Sequence, residues 1–162
     1  MKKPAEADTV RSLREIFERL SREAPTGSCS LEIQEKTKER GLALILTPVH
    51  DDAARIHAEF DPDFGIYLSL GKGSVFDLPY GRRYYSSLGF LEELEGLCRA
   101  AMIGQFRERV TLVGAQVVGA SSEVVFPGPQ GPTATEAWRR LKLFPFRKKT
   151  EEVLVYKPYR AS

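Results

Sequence analysis

The chain is poor in the residues that specific chemistry usually requires. Among 162 residues there are two cysteines, two histidines, two methionines and one tryptophan. Cys29 and Cys98 are too few for a thiolate metal cage or a disulfide framework, and both fall at apolar positions of a predicted strand and a predicted helix, where free buried thiols are expected. No stretch approaches the ~20 consecutive apolar residues of a membrane-spanning helix, so no membrane partner is expected. The opening Met1-Lys2-Lys3-Pro4-Ala5-Glu6 is charged but leads into no apolar segment of the kind that forms a secretory signal, which predicts a cytoplasmic protein. Charge of one sign is lacking too. Lys and Arg number 24 against 22 Asp and Glu, and a net charge of +2 is too small to point to a polyanionic partner. The charge is unevenly spread: residues 1 to 70 carry 10 basic and 13 acidic side chains, and residues 71 to 162 carry 14 and 9.

Catalytic signatures are equally scarce. No serine sits in a G-x-S-x-G elbow, and no cysteine has a nucleophile motif around it. Gly71-Lys72-Gly73-Ser74 offers backbone amides and a lysine that could embrace an anion, yet the Walker spacing is absent and a glycine turn after a strand explains it as well. No catalytic residue, metal site or cofactor is therefore assigned.

What the sequence does contain is alternation. It is 42% hydrophobic and 28% charged, the balance of an ordinary globular protein, and its length suits one domain spanning residues 1 to 162. Val10, Leu13, Ile16, Phe17 and Leu20 recur at helical spacing, with Asp8 or Thr9 as a possible cap and Pro25-Thr26-Gly27 as a stop. Cys29, Leu31 and Ile33 alternate with polar residues, and Leu42 to Thr47 form an apolar run, predicting two antiparallel strands. Ala54, Ile56, Ala58 and Phe60, then Phe64, Ile66, Leu68 and Leu70, describe a hairpin turned by Asp61-Pro62-Asp63. Period-two geometry leaves Arg55, His57, Glu59, Tyr67 and Ser69 on the opposite, polar face.

A loop is expected from Gly71 to Ser87, followed by a helix through Leu91, Leu94, Cys98, Ala101 and Met102 capped by Ser86 or Ser87. Strand signals return over 106–112 and 116–126. Pro127 to Pro132 reads as an internal loop, followed by a short helix around 135–141 and a last strand over 152–157. The expected fold is α+β, a mostly antiparallel sheet in the order α-β-β-β-β-α-β-β-(α)-β, with the two longer helices on one face and the polar face left open.

Three groups of residues could carry a function. The first, His50, Asp51, Asp52, His57, Glu59, Asp61 and Asp63, is dense in imidazole and carboxylate, but strand spacing scatters it, and turn-capping aspartates beside a surface histidine account for it too. The second is Glu108, which shares a face with Phe106, Val110 and Leu112, where burial would make it a candidate acid or base. The third is aromatic and basic: Tyr80, Arg82, Arg83, Tyr84 and Tyr85 in the mid-chain loop, and Trp138, Arg139, Arg140, Phe144, Phe146, Arg147, Lys148, Lys149, Tyr156 and Tyr159 near the end. Arg and Tyr together are what interfaces favour. The leading expectation is a non-enzymatic interaction protein, such as an adaptor, inhibitor or immunity-type partner, with Arg82, Arg83, Tyr84, Tyr85, His57 and Tyr67 as binding residues and a protein as partner. A small hydrolase-like enzyme with a His and carboxylate site, and a nucleic-acid binder using the basic C-terminal segment, are the alternatives.

Overall fold

A computed structural model describes residues 6–36, 41–78, 89–125, 133–139 and 148–161. The first helix, α1 (Glu6–Glu23), buries the predicted stripe: Leu13, Ile16, Phe17 and Leu20 are all core residues. It begins before Asp8, so Asp8 and Thr9 lie inside the helix rather than capping it. Asp8 instead pairs with Arg11 one turn on, and Thr9 is buried.

Five strands follow in a meander: β1 (Cys29–Lys36), β2 (Gly41–Pro48), β3 (Ile56–Asp61), β4 (Gly65–Leu70) and β5 (Ser74–Leu78). Every neighbouring pair is antiparallel. Ala58 stands opposite Leu44 on one side and Leu68 on the other, and Leu68 opposite Phe76, so one face is apolar from strand to strand. Leu42, Leu44, Leu46, Ile56, Ala58, Phe60, Ile66, Leu68 and Leu70 are buried on it. Each such side chain withdrawn from water contributes about 1.5–3 kcal/mol, which fixes the register, because a one-residue slip would turn the whole set outward.

The hairpin turn between β3 and β4 is held by Asp61, whose Oδ1 accepts the backbone N–H groups of Asp63 (2.8 Å) and Phe64 (3.2 Å). That turn keeps Phe64 out of the strand and 72% exposed, a departure from the alternation expected of it. A second departure is β5, in a segment expected to be loop. Ser74, Phe76 and Leu78 are buried in alternation, a five-residue pattern too short to stand out between the glycines before it and Pro79 after it.

Helix α2 (Gly89–Met102) presents Leu94, Leu97, Cys98 and Ala101 to the same core. A second sheet then forms from β6 (Phe106–Val113), β7 (Gln116–Val125), β8 (Thr133–Arg139) and β9 (Lys149–Val155), in the order β8-β7-β6-β9. A short helix is expected around 135–141, and residues 133–139 are strand instead. They pair residue for residue with the free edge of β7, from Val125 opposite Thr133 to Gly119 opposite Arg139, and ladder pairing overrides the local preference of Ala, Glu and Arg. The last strand lies earlier than expected, over 149–155 rather than 152–157. There are thus two antiparallel sheets of five and four strands where one was expected, within an α+β fold. One continuous apolar cluster nonetheless joins α1, α2, the five-stranded sheet, Phe106, Val124, Tyr156 and Tyr159.

After β9 the chain runs back across the molecule. Lys157 forms a parallel bridge with Ala53 and donates its N–H to the Asp52 carbonyl (2.7 Å), and the Tyr159 N–H reaches the Met102 carbonyl at the end of α2 (2.8 Å). Among the described residues no helix is long and apolar enough to cross a membrane.

Candidate functional site

The polar side of the five-stranded sheet is built by register. One rung runs Glu32, Ile45, His57, Ser69, Val75 across all five strands, and the next runs Gln34, Ala43, Glu59, Tyr67. His57, Glu59, Tyr67 and Ser69 are half-buried, while Ala43 and Ile45 lie beneath their longer neighbours at 3% and 7% exposure. Both helices pack against the other face, through the cluster that holds Leu13, Phe17, Leu94 and Cys98 with Leu44 and Leu68. His57 and Tyr67 therefore share one face in adjacent rungs, as their alternation predicts, with Glu59 directly across from Tyr67.

Glu108 lies elsewhere, on the inner face of the second sheet, and is 1% exposed. Its environment is not the apolar pocket the sequence suggests. Oε1 accepts the Lys72 N–H at 2.6 Å and the Tyr156 hydroxyl at 2.5 Å, and Oε2 accepts the Gly73 N–H at 3.1 Å and the Ser74 hydroxyl at 2.6 Å. Both oxygens act only as acceptors, the role of an ionised carboxylate, and four protein donors satisfy them. The loop Gly71-Lys72-Gly73-Ser74 does cradle an anion with its backbone, and that anion is the protein's own glutamate.

Burial pushes the Tyr156 hydroxyl well above its ordinary value, and the hydrogen bond to Glu108 adds to the effect. Tyr156 also stacks on Phe106, with ring centroids 5.2 Å apart. Gly71 makes the cradle possible: its φ is +67°, and a Cβ there would stand 2.6 Å from the Tyr156 hydroxyl and 2.7 Å from Glu108 Oε1. Glu108 is consequently a tether between the β4–β5 turn, the second sheet and the C-terminal segment, with both carboxyl oxygens taken up by internal donors.

The remaining sequence candidates are dispersed. His50 Nε2 lies 3.2 Å from the Ala161 carbonyl, and Asp52 pairs with Arg160 at 2.8 Å, so the β2–β3 connection serves as the dock of the C-terminal segment. The hydrogen bond from Arg160 holds the Asp52 carboxyl below its usual range. Asp61 is the turn cap described above. Among the described residues no three His, Cys, Asp or Glu side chains converge on a point that could hold a metal. His57 and Glu108 belong to different sheets and face opposite ways, so the structure does not bring them together. Cys98 is fully buried and Cys29 half-buried, and both are free; burial raises both thiols above their ordinary value. Arg82, Arg83, Tyr84 and Tyr85 lie outside the described residues, as do Pro127 to Pro132 and Arg147.

One feature escaped the sequence reading. The outer face of the second sheet holds an open depression of about 370 Å³ lined by Arg107, Arg109, Ser121, Glu123 and Val153, with Glu108 and Ser122 between them also bordering it. Arg107 pairs with Glu123 across the ladder, and Arg109 approaches Glu151 at 3.9 Å. The depression's sequence signal is the alternation of Arg107 and Arg109 with Phe106, Glu108 and Val110, which puts the two arginines on the outward half of β6. Compared with known proteins, the chain matches no protein family, no curated protein and no solved structure.

Proposed function

We propose that this chain is a non-catalytic binding protein, acting in the cytoplasm, that recognises a protein partner through the outer face of its five-stranded sheet, with His57 and Tyr67 at the centre of the contact. The observation that carries this reading is the pair of rungs through His57 and Tyr67 on a face that neither helix covers. One tyrosine and one imidazole beside buried Ile45 and Ala43, flanked by Glu59 and Ser69, combine rigid contact area with directional donors and acceptors, and tyrosine is among the residues enriched where protein interfaces concentrate their energy. The free thiols fit a reducing compartment. Glu108 adds support: among the described residues it is the one buried carboxyl, and four internal donors occupy it.

The test is site-directed photocrosslinking of the full chain in its own host, with the crosslinker at position 67 and, as a control, at the exposed Ile103. The expected result is one protein captured from position 67 and absent from position 103. That protein, purified, should bind the His57→Ala, Tyr67→Ala double variant at least about tenfold more weakly than the native chain, at unchanged melting temperature. Equal affinity for both forms would overturn the assignment of this face.

A further inference from the structure

The second sheet ends at β9, and among the described residues β9 is paired on one side only, with β6. Its side chains from Lys149 to Val153 are all exposed, as is Lys148 before it, and Val153 and Val155 remain 60% and 66% exposed. A row of unpaired backbone groups beside exposed valines is a template for another strand, and natural edges usually prevent such pairing with charge. Here the charge is arranged in an unusual way. The segment reads Lys148-Lys149-Thr150-Glu151-Glu152, which is antisymmetric about Thr150.

We infer that β9 is a homodimerisation edge, two copies of the chain pairing antiparallel about a two-fold axis at Thr150 so that Lys148 and Lys149 of each copy stand opposite Glu152 and Glu151 of the other. A two-fold axis normal to the sheet keeps every side chain on its own face, so residues opposite one another must have the same parity along the strand. That leaves few registers, and charge separates them. Centred on Thr150, all four charged positions meet opposite charges. Centred one residue either way, Lys149 meets Lys149 or Glu151 meets Glu151, and like charges directly opposite are destabilising.

The faces agree with the fold. Thr150, Glu152 and Leu154 oppose Leu112, Val110 and Glu108 on the inner side of the sheet, and Lys149, Glu151, Val153 and Val155 lie on the outer side. Lys149 of one copy thus opposes Glu151 of the other and lies diagonal to its Val153, where a lysine stem can cover a valine. The existing pair between Lys72 and Glu152, at 3.1 Å and half-exposed, leaves the outward backbone of β9 untouched. The dimer joins two four-stranded sheets into one of eight and removes one exposed edge from each copy.

The experiment is analytical ultracentrifugation of the full chain and of two charge-reversed forms, Lys148→Glu with Lys149→Glu, and Glu151→Lys with Glu152→Lys. The native chain should dimerise with a dissociation constant on the order of 10 µM at low salt, as a small interface allows, and weaken as salt screens the pairs. Each reversed form alone carries one sign of charge along the edge and should be at least about tenfold weaker in self-association, while an equimolar mixture of the two should recover a one-to-one heterodimer. Circular dichroism of each form confirms the fold, since all four positions are exposed. A native chain that stays monomeric at about 100 µM, ten times the expected constant, overturns the inference. So does a native dimer that survives either reversal, or a mixture that remains monomeric. None of these outcomes touches the His57 and Tyr67 face, which lies on the other sheet.

Discussion

The Tyr159 hydroxyl donates a 2.7 Å hydrogen bond to the carbonyl of Ala54, a residue 105 positions earlier in the chain. Both partners are buried, and burial raises the Tyr159 hydroxyl far above its ordinary value, so it stays a donor at any pH a protein meets. Tyr159→Phe keeps the ring in the core and leaves the Ala54 carbonyl without that donor. A loss of about 1–3 kcal/mol is expected in urea unfolding, with the slope of the transition unchanged.

The Glu108 cradle makes a sharper prediction. Glu108→Gln is ordinarily a mild change, but here an amide NH₂ must face either the Lys72 N–H and the Tyr156 hydroxyl or the Gly73 N–H and the Ser74 hydroxyl. The hydroxyls can turn, and the backbone N–H groups cannot. The variant should lose about 2–4 kcal/mol, close to the loss for Glu108→Ala and more than that for Tyr156→Phe. Gly71→Ala strikes the same place from the other side, through its positive φ and the contact with Tyr156, and should cost about 2–4 kcal/mol. Denaturant melts of the four variants rank them.

The difference between Phe60 and Glu108 shows how far the sequence could be read. Phe60 belongs to a run of alternating residues, and alternation alone placed it in the core, together with its neighbours on both hairpin strands and the polar identity of His57 and Tyr67 opposite. The inward direction of Glu108 was legible in the same way, yet its partners were not. Lys72, Gly73 and Ser74 meet it only because the β4–β5 turn folds onto the second sheet, a relation no local pattern encodes. The strand over 133–139 was hidden for a similar reason: Ala134, Glu136, Ala137 and Arg139 favour a helix, and the free edge of β7 decides otherwise. Two sheets were read as one because alternation reports which face a residue takes and is silent on which strand lies beside it.

The two helices are clasped by charge, and the clasp should respond to acid. Burial pushes the Glu95 carboxyl up, but the hydrogen bonds from Arg19 (2.5 Å) and Arg99 (2.7 Å) more than reverse this and hold it below its usual range. Arg99 also pairs with Glu23 of α1. A carboxyl lowered in the folded state contributes stability that is full above its unfolded value and is lost as pH falls through the folded one. Melting temperature should therefore drop below about pH 4.5, and Glu95→Gln should flatten that part of the curve. At pH 7 the same variant should lose on the order of 1 kcal/mol, since the guanidinium partners are partly exposed and screened.

The thiols provide an independent check on packing. Burial raises both cysteines above the ordinary thiol value, Cys98 by far the more, and Cys98 is completely enclosed by the core. Ellman's reagent at pH 8 should modify Cys29 slowly and leave Cys98 untouched until denaturant unfolds the chain. Peptide mapping of the labelled protein separates the two sites, and rapid labelling of Cys98 would mean that α2 detaches from the sheet.

The partners of Glu108 stand 34, 35, 36 and 48 positions away along the chain. Contacts of that span close only when the β4–β5 turn meets the second sheet, and the expectation to be tested by refolding and unfolding rates of Glu108→Ala is that this docking follows the rate-limiting barrier. Weakening the cradle would then leave the refolding rate nearly unchanged and hasten escape from the native state. The lifetime of the assembled molecule, more than the speed of reaching it, would be governed by one carboxyl group.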